Sequence, residues 1–347
     1  MNIYKLSELT SEKKEFIMKR AESDISEQMK IAKEVSDDIR KRGDEAVLEY
    51  TAKFDHVTLS ADEMKVKPEE IEAGYERLDT ETREAIEYAV KNIRNFHSKQ
   101  MPEEMWFTEV DKGLLVGEKT TPIVDVCLYV PRGKGSFPSV LCMLATPAVV
   151  AGVEKIVVVT PPNEEGNVDD AILAAAKIIG VSEIYKVGGI QAVASVAYGT
   201  ETIPKCHKII GPGNAYATAA KRVLSNYIDS GLPAGPSECI ILADENADPE
   251  KVALDWMIEA EHGPDSAALL VTNCEELVYK AAEIVERQLE KISDKRREFV
   301  TANFNTYGGA IITESLEESI DFVNDYAPGH MEVMTKEPFV VLPKIKN

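Results

Sequence analysis

Along the first hundred residues, apolar positions recur at spacings of three and four among many charged ones. Ser36 to Phe54 and Pro68 to Met101 carry this spacing, and Pro68 is well placed to open a helix, so the pattern predicts an N-terminal helical layer. From Val124 the texture changes to short apolar, β-branched runs: VDVCLYV, KIVVVT, EIYKVG, KIIG, CIILAD, AALLVT and GGAIIT. Several are separated by segments of helical length, which predicts an α/β architecture with largely parallel sheets. Many of these runs end in Gly, Pro, Asp or Asn turns (YVPRG at 129, TPPN at 160, KVGG at 186, IGPGN at 210), so the chemistry is expected at the carboxyl ends of the strands. The final stretch, Glu337 to Asn347, reads as a strand-like run with no closing helix. No internal repeat of fixed period is visible.

Composition narrows this picture. With 347 residues and 44% hydrophobic, the chain can bury a sizeable core and has room for two domains. Sixty acidic against 39 basic residues give a net charge of -21, a field that repels phosphate backbones and anionic lipid, so nucleic acid and membrane partners are not expected. No apolar run nears the roughly 20 residues that span a bilayer, and Met1 to Thr10 has no basic, then apolar, leader pattern. A cytoplasmic location is the expectation. The five cysteines (Cys127, Cys142, Cys206, Cys239, Cys274) are widely spaced with no C-x-x-C pair and read as reduced thiols, mostly in the core.

Several turns carry candidate chemistry. Gly211 to Asn214 (GPGN) follows a short strand and opens the helical stretch Ala215 to Tyr227; it reads as a phosphate or carboxylate site at a helix start, or as a simple turn with an Asn N-cap. No G-x-G-x-x-G follows the first strand of a βαβ unit, so a dinucleotide site would have to be built differently. In Pro233 to Glu238 (PAGPSE), two prolines and a glycine fix Ser237 before a buried strand, where its hydroxyl meets a ligand or its own backbone. Glu259 and His262 lie three apart at the end of the helical segment Pro249 to Glu261, a spacing by which a carboxylate and an imidazole share a metal. His262 (EHGPD) and His330 (APGHM) are each flanked by Gly or Pro, and read as catalytic groups or as hydrogen-bonded structural ones. Cys239 begins an apolar run with no nearby cation to acidify it, so it reads as a buried strand residue rather than a nucleophile.

Taken together, YVP at 129, GGIQA at 188, GTETIP at 199, GPGNAYATAAK at 211, LPAGPSE at 232 and EAEHGPDS at 259 resemble the histidinol dehydrogenase family over nearly the whole chain. The resemblance implies two interleaved, incomplete Rossmann-like domains: residues 21–127 with 238–347 on the zinc and substrate side, residues 128–237 on the NAD side, and an N-terminal segment 1–20. It implies a homodimer, a zinc ion, a small amino alcohol as substrate, and two successive NAD-dependent oxidations from alcohol to aldehyde to acid. Carried over by position, NAD contacts fall on Tyr129, Gln191 and Asn214. Ser237, Glu259, His262 and His330 match substrate positions, Glu259 and His262 also match zinc ligands, and His330 matches the base that takes the alcohol proton.

Two positions depart from the family pattern. Glu259 stands where the family has a zinc-binding Gln, and Gly329 stands where the family has the Glu that activates water in the second oxidation and assists the first. The family's C-terminal domain, with its remaining Asp and His zinc ligands, is expected to be absent from this sequence, so activity is expected to be impaired. Two alternatives remain: a paralogue oxidising another small polar or anionic alcohol once, to which Arg132 and Lys134 would lend charge, and a non-catalytic dinucleotide-binding homologue.

Overall fold

The computed structural model describes residues 1–20, 25–132, 135–231 and 236–346. The chain opens with β1 (Ile3–Lys5) and α1 (Ser11–Lys19), then runs through α2 (Ser26–Arg42), α3 (Asp44–Phe54), the short α4 (Ala61–Met64), α5 (Pro68–Arg77) and α6 (Thr80–His97). The helical layer is therefore more finely divided than the periodicity shows. Gly43, at φ 57°, separates α2 from α3, a backbone angle that glycine takes without strain. Asp79 separates α5 from α6, its carboxylate accepting the Thr82 N–H as an N-cap. An antiparallel hairpin, β2 (Met105–Asp111) and β3 (Leu114–Lys119), follows with every residue exposed. It has no polar and apolar alternation to announce it, because neither face is buried.

The predicted alternation then appears: β4 (Asp125–Tyr129), α7 (Pro138–Val150), β5 (Lys155–Thr160), α8 (Asp170–Ile179), β6 (Glu183–Lys186), α9 (Gly189–Tyr198), β7 (Ile209–Ile210) and α10 (Ala215–Val223). It continues through β8 (Glu238–Ala243), α11 (Pro249–Ala260), β9 (Ala267–Thr272), α12 (Glu275–Leu289), α13 (Asp294–Asn305), β10 (Gly309–Ile312), α14 (Leu316–Tyr326), β11 (His330–Met334) and α15 (Pro338–Val341). The strand-like reading of Glu337 to Asn347 is corrected. The segment is helical, α15 followed by a 3-10 turn over Leu342–Lys344, because Pro338 and Pro343 withhold amides that a strand would need.

The chain forms two compact units, Asp24–Ala234 and Met1–Ser23 with Gly235–Asn347. In the first, all strand pairs of the sheet β6-β5-β4-β7 are parallel. Val126, Leu128 and Val158 face a core shared with α7 and α8, while Cys127, Tyr129 and Val157 face one shared with α2, α9 and α10. Burial on both faces is why these strands read as unbroken apolar runs. In the second unit the sheet β1-β10-β9-β8-β11 is likewise parallel. Its Ile241, Leu270 and Ala310 pack under α11 and α12, and its Ile240, Leu269 and Val271 under α14. Trp256 anchors the former layer, donating its indole N–H to the Ala268 carbonyl at 3.0 Å with its ring 4.7 Å from Phe304. All five cysteines are free and four are buried. No helix among the described residues is long and apolar enough to cross a membrane.

Candidate active site

In the unit that holds β8 and β11, the two strands pair side by side with His330 opposite Cys239. Helix α11 runs back after β8, so its carboxyl end returns to the end from which the strands start. Ser237, Glu238, Glu259, His262, Gly329 and His330 therefore meet at the amino ends of β8 and β11. This corrects the expectation of carboxyl-end chemistry for this unit, and the reason is that these groups are supplied by the segments leading into strands and by a helix end.

Hydrogen bonding orders the cluster. The His330 Nδ1 lies 3.1 Å from the Glu238 carbonyl, which only accepts, so Nδ1 is the donor and Nε2 is left for other contacts. The Gly329 N–H donates to the Glu238 carboxylate at 3.2 Å. His262 Nδ1 lies 3.3 Å from the Ser237 hydroxyl and 3.4 Å from Glu259 Oε1. The Glu259 side chain is 10% exposed, and Oε1 has no hydrogen-bond partner among the described residues. An orphaned buried carboxylate oxygen beside an imidazole fits a cation. Among the described residues, no group of three or more His, Cys, Asp or Glu side chains is arranged to hold a metal.

Around this centre lie groups that motif reading missed. Arg20 pairs with Glu238, donates to the carbonyls of Tyr326 and Ala327, and stacks 4.2 Å over the Tyr326 ring. It thereby closes the end of α14, where Ala327 takes a left-handed φ of 49°, and ties the Pro328–Gly329–His330 turn to β8. On the other side, burial and the neighbouring Asp255 push the Glu332 carboxyl up to about 7. Burial first, then Glu332, Glu259 and Asp255, push the Cys239 thiol up to about 12, so this cysteine is an inert strand residue as expected.

The other unit holds the three residues read as dinucleotide contacts. In β6-β5-β4-β7 the chain passes outward from β4 to β6 and then returns to the far side of β4, so strand order reverses between β4 and β7. That is where open parallel sheets bind ligands at the strands' carboxyl ends. Tyr129 ends β4, and Gly211 to Asn214 follows β7. Gly211, at φ 130°, comes so close to Tyr129 that a Cβ would lie 2.2 Å from its carbonyl oxygen. Asn214 is exposed and caps α10, accepting from the Tyr216 and Ala217 N–H groups. The N–H groups of Gly213 to Ala215 have no acceptor among the described residues.

Tyr129 and Gln191 are 2% and 1% exposed, so they shape this end of the sheet from within. The Tyr129 hydroxyl accepts the Gly189 N–H at 3.0 Å, and burial pushes its acidity to about 12. The Gln191 amide donates to Asp55 at 2.9 Å, while its Oε1 is buried without a partner. Buried Lys221 donates to the Gly211 carbonyl and lies 5.5 Å over the Tyr129 ring, with burial lowering its pKa. Arg132 reaches the Pro162 carbonyl at 3.3 Å. Lys134 and Leu232 to Gly235 of the LPAGPSE motif lie outside the described residues.

Comparison with known proteins places this arrangement. The family model described as histidinol dehydrogenase matches residues 18–347. The chain is 48% identical over 345 residues to a histidinol dehydrogenase of Synechocystis sp., covering 99% of this chain and 80% of that protein. It is 43% identical over 348 residues to a histidinol dehydrogenase homolog of Colwellia psychrerythraea, covering 100% and 78%. The crystal structure of histidinol dehydrogenase from Elizabethkingia anophelis superposes with a TM-score of 0.92 at 35% identity, covering 100% of this chain and 78% of that one.

Proposed function

Because the chain belongs to the histidinol dehydrogenase family, we propose that it oxidises L-histidinol through L-histidinaldehyde to L-histidine, with NAD as hydride acceptor in each step. One water and two NAD are consumed per histidinol, and two NADH and three protons are released. The observation that carries the reading is the His330 tautomer. With Nδ1–H donated to the Glu238 carbonyl, Nε2 is free to take the hydroxyl proton as hydride departs. Ser237 and His262, 3.3 Å apart, offer polar atoms to orient the substrate at the same strand ends. The orphaned Glu259 oxygen and His262 would hold zinc, two of the four ligands such an ion takes. When bound, NAD accepts hydride and zinc acts as a template for the substrate's amine and imidazole nitrogens. The exposed Trp106, Phe107 and Leu115 of the hairpin support assembly as a homodimer, since a second copy would cover them.

Gly329 bears on the second oxidation. It offers no carboxylate to activate water, so that step runs slower by about 10² to 10⁴ than with a general base in place. The same residue, with an acidic side chain at Glu259, favours a second reading in which a different small polar alcohol is oxidised once. His330→Asn tests the main reading: NADH release from histidinol in the presence of zinc should fall by about 10² or more. An unchanged rate would remove His330 from the chemistry. A chain that leaves histidinol untouched but turns over an anionic diol would favour the second reading.

A further inference from the structure

Rossmann-type sites that take NAD place a carboxylate against the adenosine ribose, usually just beyond the second strand of the sheet. Here the corresponding strand, β5, ends at Thr160 and runs through Pro161-Pro162-Asn163 into Glu164 and Glu165, which line a cleft beside the sheet. A further carboxylate is brought by another element. Asp55 sits at the carboxyl end of α3, and one of its oxygens accepts from Gln191, the third residue of α9, at 2.9 Å. Its other oxygen has no hydrogen bond among the described residues. Gln191 is itself 1% exposed with its Oε1 unpaired, so a buried amide is held ready on one side and an open carboxylate on the other.

The surroundings show what such a group would meet. Tyr129 hydrogen-bonds the first turn of α9 through Gly189, so the Gln191–Asp55 pair belongs to the same end of the sheet. The next residue, His56, lines a cleft of about 280 Å³ with Glu63, Glu164, Glu165 and Lys186. That is close to the lower bound of small-molecule clefts, about 300 Å³, and it suits a nucleoside. The cleft is hostile to an added phosphate. Three of its residues are glutamates, and the ammonium of Lys186 is engaged by Glu70 at 2.5 Å. Burial pushes the Asp55 carboxyl up to about 6 against the pull of Gln191 and Arg132, as expected for a carboxylate short of donors.

We propose that Asp55 is the acceptor for the adenosine ribose diol, and that its charge makes this site take NAD rather than NADP. The inference rests on the NAD reading above and adds the residue that sets cofactor choice. Paired hydroxyls supply the donors that the open oxygen lacks, while a 2′-phosphate would face Asp55 and the glutamates. Arg132, close enough to pull the Asp55 pKa down, becomes available to a phosphate once that carboxylate is neutral.

Fluorescence titration of the full chain with NADH, NADPH and 2′-deoxy-NADH tests this, using the wild type, Asp55→Asn and Asp55→Glu. The wild type should bind NADH at least about 10-fold tighter than NADPH or 2′-deoxy-NADH, the loss expected for one hydrogen bond to a charged group. Asp55→Asn should bind all three within about threefold of one another, and Asp55→Glu should restore part of the preference. Asp55 as a mere structural anchor would weaken all three ligands together and leave their ratios unchanged, and that result would overturn the inference alone. If Asp55→Asn does not fold, an unaltered preference in Asp55→Glu together with equal wild-type binding of NADH and 2′-deoxy-NADH overturns it equally. Failure of the wild type to bind NADH at all would overturn the NAD reading, and this inference with it.

Discussion

Gly329→Glu places a carboxylate beside His330, and the space around the turn admits it. A Cβ at position 329 would meet its nearest neighbour, Glu238 Oε1, at 3.4 Å and the next two atoms at 3.9 Å, which is ordinary van der Waals contact. Gly329 is not in the left-handed region, so a side chain adds no backbone strain. Replacing glycine at such a position gains about 0.4–1 kcal/mol by restricting the unfolded chain. The new carboxylate approaches Glu238, but Arg20 already pairs with that group, so the repulsion should cost on the order of 1 kcal/mol or less. The two terms nearly cancel, and the melting temperature should move by no more than about 3 °C. The chemical effect is far larger: a general base restored to the second step is worth about 10² to 10⁴ in rate. Single-turnover measurements with histidinol and with histidinaldehyde, at saturating NAD and zinc, separate the two steps. We expect the wild type to release the first NADH slowly and the second more slowly still, and Gly329→Glu to release both faster. A folded variant that turns aldehyde into acid no faster than the wild type would refute the reasoning, as would a wild type already releasing two NADH at one rate.

Arg20→Ala should lower kcat for histidinol about 10-fold while leaving KM for NAD unchanged, because it frees Glu238 and the last carbonyls of α14; steady-state kinetics at varied NAD checks this. The raised pKa of Glu332, about 7 against an ordinary 4.5, means that between those pH values the folded protein holds a proton which the unfolded chain has released. Stability contributed by the protonated pair with Asp255 is thus present on the acid side and lost as pH rises through about 7. Glu332→Gln should accordingly melt higher than the wild type at pH 8, with the gap closing toward pH 5, and a constant gap across that range would count against a shared proton. Trp256→Ala, which removes a fully buried ring and its bond to the Ala268 carbonyl, should cost about 3–5 kcal/mol in urea unfolding.

The α/β character was legible in the sequence because strands buried on both faces read as apolar runs, as Val126–Tyr129 of β4, Ile156–Val159 of β5, Cys239–Ala243 of β8 and Ala267–Val271 of β9 do. The hairpin was not, since strands exposed on both faces carry no such signature. Ser237, Glu259, His262 and His330 could be picked out because each sits in a short motif whose neighbours force a turn or a helix end. Tyr129 and Gln191 could be picked out by position, but not that both would be buried and hydrogen-bonded to Gly189 and Asp55.

By itself, then, the sequence determined the buried parallel strands, the amphipathic helices and the turns that carry polar side chains, because periodicity and turn chemistry are local properties. Tertiary structure alone decided what those side chains meet. Arg20 and Glu238 are 218 residues apart, and Asp55 and Gln191 are 136 apart, separations across which no local pattern reaches. It also decided that the histidines gather where strands begin rather than where they end. That follows from parallel strands joined by returning helices, which bring the end of one helix back to the start of the strand it has just left.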